Sequence, residues 1–178
     1  MIINRVWAMP SPNTFSIKPI RELVERYMRE DSLWIDPFVR ASVLRARCMF
    51  TNDLNPDFAG THNMEALDFL KLFREESIDG VLFDPPYSPR QAKEEYNGFG
   101  AVQTSRAFYS DRKREAAAIL KPGGFGICCG WNSLNLGRKN GVEVIEVLLV
   151  CHGDQNDTIV TVGQKQWQND KNHAESLI

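Results

Sequence analysis

The apolar positions of the chain fall into helical repeats that alternate with short, continuous apolar runs. The spacing predicts helices over 19–29, 64–73 and 105–120, and strands over 33–35, 47–51, 78–83, 125–129, 142–151 and 158–162. Strands that alternate with helices indicate an α/β fold, with a mostly parallel, doubly wound sheet. The last two runs are expected to form an antiparallel pair that closes the sheet edge.

Residues 1–165 carry this pattern and are expected to form a single domain. The remainder, 166–178, is polar and is expected to be a disordered tail. The 178 residues are 43% hydrophobic and 25% charged, as in ordinary globular proteins, and the formal net charge is −2. Free-standing nucleic-acid-binding proteins are usually basic, so any such contact here must come from a local patch.

The four cysteines show no spacing typical of a zinc site, and no metal is predicted. Their positions in apolar runs favour reduced, buried thiols. The first seven residues lack the apolar stretch of a signal peptide, and no run is long enough to cross a bilayer. We therefore expect a cytoplasmic protein without membrane contact.

Acidic residues follow three of the predicted strands. Asp36, Asp53 and Asp84 each come at or just after a strand end. Because the carboxyl ends of parallel strands meet at one edge of a sheet, where such folds bind ligands, we expect these carboxylates to form one rim.

The segment Asp84-Pro85-Pro86-Tyr87 has the parts needed for chemistry on a base amine. The two prolines fix two φ angles, so neighbouring carbonyl oxygens are presented rigidly. An exocyclic amine is a poor nucleophile because its lone pair is delocalised into the ring. The Asp84 carboxylate and the Pro85 carbonyl, both accepting from it, would favour a pyramidal nitrogen, and Tyr87 can stack on an extruded base. The alternative is a structural turn in which Asp caps and Pro stiffens the chain.

This loop resembles the catalytic motif of the amino DNA methyltransferases, which modify adenine N6 or cytosine N4. Other segments match the same family in the same chain order. They are 14–20 (the N-terminal cofactor motif), 36–38 (the first-strand motif), 52–56 (the acidic end of the second strand) and 121–124 (the turn before the fifth strand). The match extends from about Trp7 to Val162 and is most similar to small phage- or prophage-type enzymes, as in restriction–modification.

The resemblance implies a Rossmann-like class I methyltransferase fold, S-adenosylmethionine as cofactor and the N6 amine of adenine in DNA as methyl acceptor. Its catalytic residues would be Asp84, Pro85, Pro86 and Tyr87. The implied chemistry needs no metal, because the positive sulfur of the cofactor already activates the methyl group.

The implied cofactor-binding residues are Thr14, Phe15, Lys18, Asp36, Phe38, Asp53, Leu54, Glu65 and Asp84. Asp53 would accept hydrogen bonds from the ribose hydroxyls, and Asp36 would lie near the methionyl ammonium. Lys18 is a candidate for the methionyl carboxylate and Glu65 for the adenine amine, although Asp68 lies close to Glu65 in sequence. Each assignment has a structural alternative: a solvated turn for Asp53, a strand end for Asp36 and a solvated helix start for Lys18.

The chain departs from the family's pattern after the first strand. Most methyltransferases have a glycine soon after the aromatic residue, which lets the backbone approach the cofactor. Here residues 39–42 after Phe38 contain none, and the next glycine is Gly60. We expect a different path of the turn or weak cofactor binding, and a non-catalytic cofactor- or DNA-binding subunit is an alternative.

The segment 89–114 contains six basic and four aromatic side chains: Arg90, Lys93, Arg106, Arg112, Lys113, Arg114, Tyr96, Phe99, Phe108 and Tyr109. This composition suits phosphate contact and base extrusion from DNA, and a solvated helix face explains it equally well. No second domain is left for target recognition, so this segment or a partner subunit is expected to set sequence preference. A base amine of RNA and cytosine N4 are alternative acceptors.

Overall fold

The computed structural model describes residues 1–58, 60–87, 106–153 and 156–167. Within them lie seven strands: β1 (Ile2–Trp7), β2 (Trp34–Asp36), β3 (Phe50–Thr51), β4 (Ile78–Phe83), β5 (Leu120–Gly130), β6 (Val142–Cys151) and β7 (Thr158–Lys165). The same residues form the α-helices α1 (Lys18–Tyr27), α2 (Ala66–Leu70) and α3 (Arg106–Ile119).

All of these strands belong to one sheet, in the order β1-β6-β7-β5-β4-β2-β3. Every neighbouring pair is parallel except the two that involve β7, which runs antiparallel to β5 and to β6. The predicted mostly parallel α/β fold is confirmed, and so is the antiparallel strand. That strand lies inside the sheet rather than at its edge, because β7 pairs with β5 on one side and β6 on the other, and β1 forms the edge beyond β6.

Helices cover both faces of the sheet, as a doubly wound fold requires. On one face, α1 packs through Leu23 into a core that includes Leu82 of β4. On the other face, Phe69 of α2 and Ile119 of α3 share a core with Val81. Successive side chains of a strand point to opposite faces, so adjacent residues of β4 enter different cores.

Three elements differ from the hydrophobic pattern. No strand was predicted for β1, whose side chains are mostly exposed and whose apolar residues are interrupted by Asn4 and Arg5. The second predicted strand shrinks to β3 because residues 45–47 form a 3₁₀ turn. The turn predicted at 121–124 is a bulge within β5, where Ile78 pairs with Leu120 but Gly80 pairs with Phe125.

All four cysteines are buried free thiols, as their apolar surroundings predicted. In the described part of the chain, no helix is both long enough and apolar enough to span a membrane. In the same residues, no group of three or more His, Cys, Asp or Glu side chains is placed to hold a metal ion.

A buried carboxylate on β6 fixes the N-terminal elements to the sheet. Glu146 accepts hydrogen bonds from Arg26 Nη2 and from the Tyr27 hydroxyl, both at 2.7 Å, and from Asn4 Nδ2 at 3.5 Å. Burial alone would raise the pKa of Glu146, but the bonds from Tyr27 and Arg26 hold it below its ordinary value. The contacts therefore connect both β1 and α1 to β6.

The connection from β5 to β6 is anchored by Asn135. Its side-chain Nδ2 donates to the carbonyls of Gly126 and Thr161 at 2.9 and 3.0 Å, and its Oδ1 accepts from the amide of Leu136 at 2.7 Å. A side chain at Gly163 of β7 would occupy the space taken by Asn135 Oδ1. The sheet therefore leaves room for this asparagine by placing a glycine beneath it.

We expect Gly163→Ala to lower the free energy of unfolding by about 1–3 kcal/mol, because the added methyl group overpacks against Asn135. Gly130→Ala is the matched control, since nothing lies within 4 Å of a side chain added there. Urea denaturation of both variants measures the difference, and equal midpoints would contradict this account of the anchor.

Candidate active site

Three carboxylates meet at the carboxyl ends of neighbouring parallel strands. Asp36 ends β2, Asp53 follows β3, and Asp84 follows β4. Their proximity has an electrostatic effect: burial, and then the charges of Asp84 and Asp53, raise the pKa of Asp36 to about 8. The structure thus brings together the acidic rim expected from the sequence.

Asp36 is the most constrained of the three carboxylates. Its side chain is fully buried, and Oδ1 accepts a hydrogen bond from the amide of Phe38 at 2.9 Å. Oδ2 is buried and has no hydrogen-bond partner among the described residues. A buried carboxyl oxygen without a partner is costly, so this position suits a ligand that brings a donor or a positive charge.

The loop after β4 is held from two sides. The Tyr87 hydroxyl donates to Asp84 Oδ1 at 2.6 Å, and the Thr14 side chain also hydrogen-bonds Tyr87. Burial and the charge of Asp84 raise the pKa of Tyr87 well above its ordinary value, so its hydroxyl stays a donor. From α3, the Tyr109 hydroxyl donates to the Pro86 carbonyl at 2.6 Å.

A cavity of about 340 Å³ opens beside this loop. Its walls come from the N-terminal segment 10–15, the residues just after β2 and the loop after β4. Seven of the predicted site residues line it: Thr14, Phe15, Phe38, Asp84, Pro85, Pro86 and Tyr87. The structure therefore joins the predicted N-terminal, first-strand and catalytic motifs around one space.

Five other predicted residues do not line that cavity, and one of them is the fully buried Asp36. Lys18 is largely exposed and lies 3.7 Å from Glu22. Glu65 caps α2 through the amide of Leu67 and forms an ion pair with Arg112. The remaining two are Asp53, which is buried, and the half-buried Leu54.

Asp53 is covered by the turn that follows β2. Its Oδ2 accepts from the amide of Arg40 at 3.0 Å, and its Oδ1 from the amide of Asn55 at 2.9 Å. Burial raises its pKa, while these backbone donors and the positive charges of Arg40 and Arg45 oppose the rise. A carboxylate has about four acceptor positions, and these two backbone amides occupy two of them.

Arg40 adopts the backbone conformation that the missing glycine would normally provide. Its φ is +37°, in the left-handed region that is rare for residues with a side chain. Its guanidinium lies 5.4 Å from the centre of the Phe58 ring. The turn thus follows a glycine-like path with an arginine in place, and the side chain crosses from the end of β2 to the segment after β3.

A second cavity, of about 1130 Å³, lies beside the first. The two share Pro85, Pro86, Tyr87 and Trp131 as wall residues. Trp131 is half-exposed, and its ring meets that of Tyr87 edge to face with centroids 5.8 Å apart. The loop after β4 therefore separates two spaces and contacts both.

The basic and aromatic segment is only partly described, because residues 88–105 lie outside the described ranges. Arg112 is buried and bonded to Glu65, so it serves packing rather than a phosphate. Arg114 pairs with Asp111 at 2.9 Å. Lys113, in contrast, lines the larger cavity.

Sequence reasoning missed two of the contacts that organise the site. The bond from Tyr109 to Pro86 joins residues 23 positions apart, and no local pattern encodes it. The left-handed turn at Arg40 contradicts its residue type, although the family's glycine marked the same stretch. Both depend on tertiary structure rather than on local preference.

No protein-family profile and no curated protein sequence matches the chain. Solved structures do match. TrmN from Thermus thermophilus aligns with a TM-score of 0.58 and 17% identity, covering 84% of this chain and 49% of that one. The 1,6-didemethyltoxoflavin-N1-methyltransferase of Burkholderia thailandensis was solved with S-adenosylhomocysteine. It aligns with a TM-score of 0.59 and 13% identity, covering 84% of this chain and 78% of that one. An S-adenosylmethionine-dependent methyltransferase of Methanosarcina mazei aligns with a TM-score of 0.55 and 11% identity, covering 82% of this chain and 98% of that one.

These similarities define the fold as the Rossmann-like class I methyltransferase fold. The chain spans about half of the length of TrmN. Folds of this kind serve many different substrates, so the reaction must be inferred from the site itself.

We expect Asp36→Asn to stabilise the protein increasingly as pH rises. The folded pKa of Asp36 is about 8 and its ordinary value is 3.8. Between these values the unfolded chain loses the proton first, so wild-type stability falls as pH rises, by up to about 1.4 kcal/mol per unit. Asparagine stays neutral. Urea denaturation at pH 5, 6.5 and 8 measures the difference, and a difference that does not vary with pH would disprove the shift.

We expect Arg40→Gly to be about 1 kcal/mol more stable than Arg40→Ala. Both variants lose the contact with Phe58, but only alanine keeps the cost of a left-handed backbone. Comparing the two against each other, by thermal or chemical denaturation, isolates the backbone contribution. Equal stabilities would mean that the turn carries no strain at this position.

Proposed function

We propose that the chain is an S-adenosylmethionine-dependent methyltransferase that methylates the exocyclic N6 amine of adenine in DNA. The observation that carries this proposal is the position of the Asp84–Tyr87 loop: Asp84 lines the smaller cavity, and Pro85, Pro86 and Tyr87 line both cavities. A group-transfer enzyme needs a donor on one side of its catalytic residues and an acceptor on the other.

The residues that line the smaller cavity fit the proposed cofactor, together with the buried Asp36, which accepts from the amide of the wall residue Phe38. Asp36 offers a buried oxygen that lacks a partner among the described residues, and the ammonium of the methionyl group would supply one. Thr14, Phe15 and Phe38 would hold the rest of the methionyl half of the cofactor. Asp53 would hold the ribose after Arg40 moves. When bound, the cofactor supplies a methyl group activated by a positive sulfur.

Asp84 and Pro85 would prepare the amine. The Asp84 carboxylate, oriented by the Tyr87 hydroxyl, accepts one N–H of the amine, and the Pro85 carbonyl accepts the other. The nitrogen lone pair would then be available for the methyl group: an N–C bond would form as the S–C bond of S-adenosylmethionine breaks, S-adenosylhomocysteine would leave, and the nitrogen would lose its extra proton to solvent. The bond from Tyr109 to Pro86 keeps the loop rigid during this step.

The base would enter from the larger cavity. Tyr87 and Trp131 provide aromatic surface beside Asp84, which suits a base that has left its stack. Adenine in DNA is proposed on the resemblance of the loop to amino DNA methyltransferases. A partner subunit is proposed to help select the target sequence.

We expect Asp84→Ala to reduce methyl transfer to adenine-containing DNA at least about 100-fold, because alanine has no oxygen to accept from the amine. Labelled S-adenosylmethionine and nucleoside analysis of the product measure the rate and identify the base. Asp57→Ala, at an exposed position outside both cavities, is the matched control.

Three outcomes would count against the proposal. Full activity of Asp84→Ala would remove the mechanism. Methyl transfer to RNA alone would replace the acceptor. Calorimetry showing no binding of S-adenosylmethionine to the wild type would favour a non-catalytic role.

A further inference from the structure

We propose that the larger cavity is a groove for a DNA strand, with phosphates bound by Lys113, Arg138 and Lys139 and the target base entering past Trp131. This inference rests on the proposed function and adds the surface that holds the substrate. The groove is continuous with the catalytic loop, because Pro85, Pro86 and Tyr87 belong to its lining.

The groove offers aromatic surface along its walls. Tyr87, Tyr109 and Trp131 all line it, and Trp131 has 49% of its surface exposed. Contact between the apolar ring of an exposed tryptophan and water is unfavourable, and a ligand that covers the ring removes this cost. Aromatic side chains in a groove bind single strands by stacking on successive bases, whatever their sequence.

The charged side chains of the groove are mostly positive. Lys113 lies on α3, and Arg138 and Lys139 lie in the turn before β6, while Glu143 is the one acidic residue in the described lining. Arg138 and Glu143 are 3.7 Å apart and are exposed by 89% and 51%, so their pairing is weak. The whole chain carries a net charge of −2, so three cations against one anion make this groove a local basic patch.

The turn that carries Arg138 and Lys139 is held in place. Asn135 is buried, has a φ of +48° and bonds to β5 and β7. Asn140 Nδ2 donates to the Leu136 carbonyl at 2.6 Å, and Lys165 Nζ donates to the Asn140 carbonyl at 3.1 Å. A fixed turn loses little freedom when its side chains bind phosphates, which favours affinity.

Charge and stacking together favour a nucleic-acid strand over a peptide helix as occupant. A helix from a partner would use the apolar wall but would leave three cations to be matched by acidic residues. A DNA strand satisfies both features at once, since phosphates repeat along it and bases project from it. The groove also leads to the residues that would act on a base.

The test is fluorescence anisotropy with a labelled, adenine-containing single-stranded DNA of about 20 nucleotides, over a range of salt concentrations. We expect the double variant Arg138→Glu/Lys139→Glu to bind at least tenfold more weakly. The slope of log K against log salt should fall by about 1.4, for two phosphates at roughly 0.7 each. Trp131→Ala should weaken binding by a similar factor without changing the slope.

Lys71→Glu/Arg74→Glu is the matched control, because it makes the same charge change at exposed positions outside both cavities. We expect it to keep the wild-type affinity and slope within about twofold. Suppose that the wild type binds cofactor and methylates DNA, but Arg138→Glu/Lys139→Glu has the same DNA affinity and salt slope as the wild type. That result would overturn the groove proposal and leave the proposed function standing. Tighter binding of an acidic helical peptide than of DNA, with the same variant abolishing it, would also overturn the groove proposal. A wild type that binds no DNA at any salt concentration would overturn both proposals.

Discussion

The parallel pairing of β2, β3 and β4 is the constraint on which the site depends. Hydrogen bonding in register fixes the three strand ends at one edge, and the chain places a carboxylate at each of them. Bringing like charges together in a buried place is unfavourable, and the cost appears in the raised pKa of Asp36. The packing of the two cores on either side of the sheet has to offset that cost.

Other strained or costly features collect around the same edge. Arg40 holds a left-handed backbone there, and Asp36 leaves one oxygen without a partner among the described residues. Features of this kind persist only where the surrounding structure over-determines them. Here the contacts of Glu146 hold β1 and α1 in place, so that Thr14 reaches Tyr87. The contacts of Glu146 with β1 and α1 thus support the strained edge of the site at Arg40 and Asp36.

Much of this arrangement could be predicted from sequence. Apolar runs located six of the strands, and the acidic residues after three of them indicated the rim, because strand ends are set by local composition. Strand β1 escaped detection, since Asn4 and Arg5 interrupt its apolar residues. The position of β7 between β5 and β6 depends on long-range pairing, which no local signal encodes. Lys18 matched a motif by position, yet its side chain points to solvent and Glu22. A motif fixes the order of residues, whereas tertiary packing fixes their directions.

Helix α3 contacts the loop after β4 and also lines the larger cavity. Tyr109 holds the Pro86 carbonyl, and Lys113, one helical turn further along, faces the larger cavity. A ligand in that cavity that shifts α3 must also shift the loop after β4. Thermodynamic reciprocity then applies: whatever orders the loop must strengthen binding in the cavity by the same factor. A ligand bound in the larger cavity is therefore expected to change the order of the loop after β4, and ordering of that loop is expected to change the affinity for the ligand.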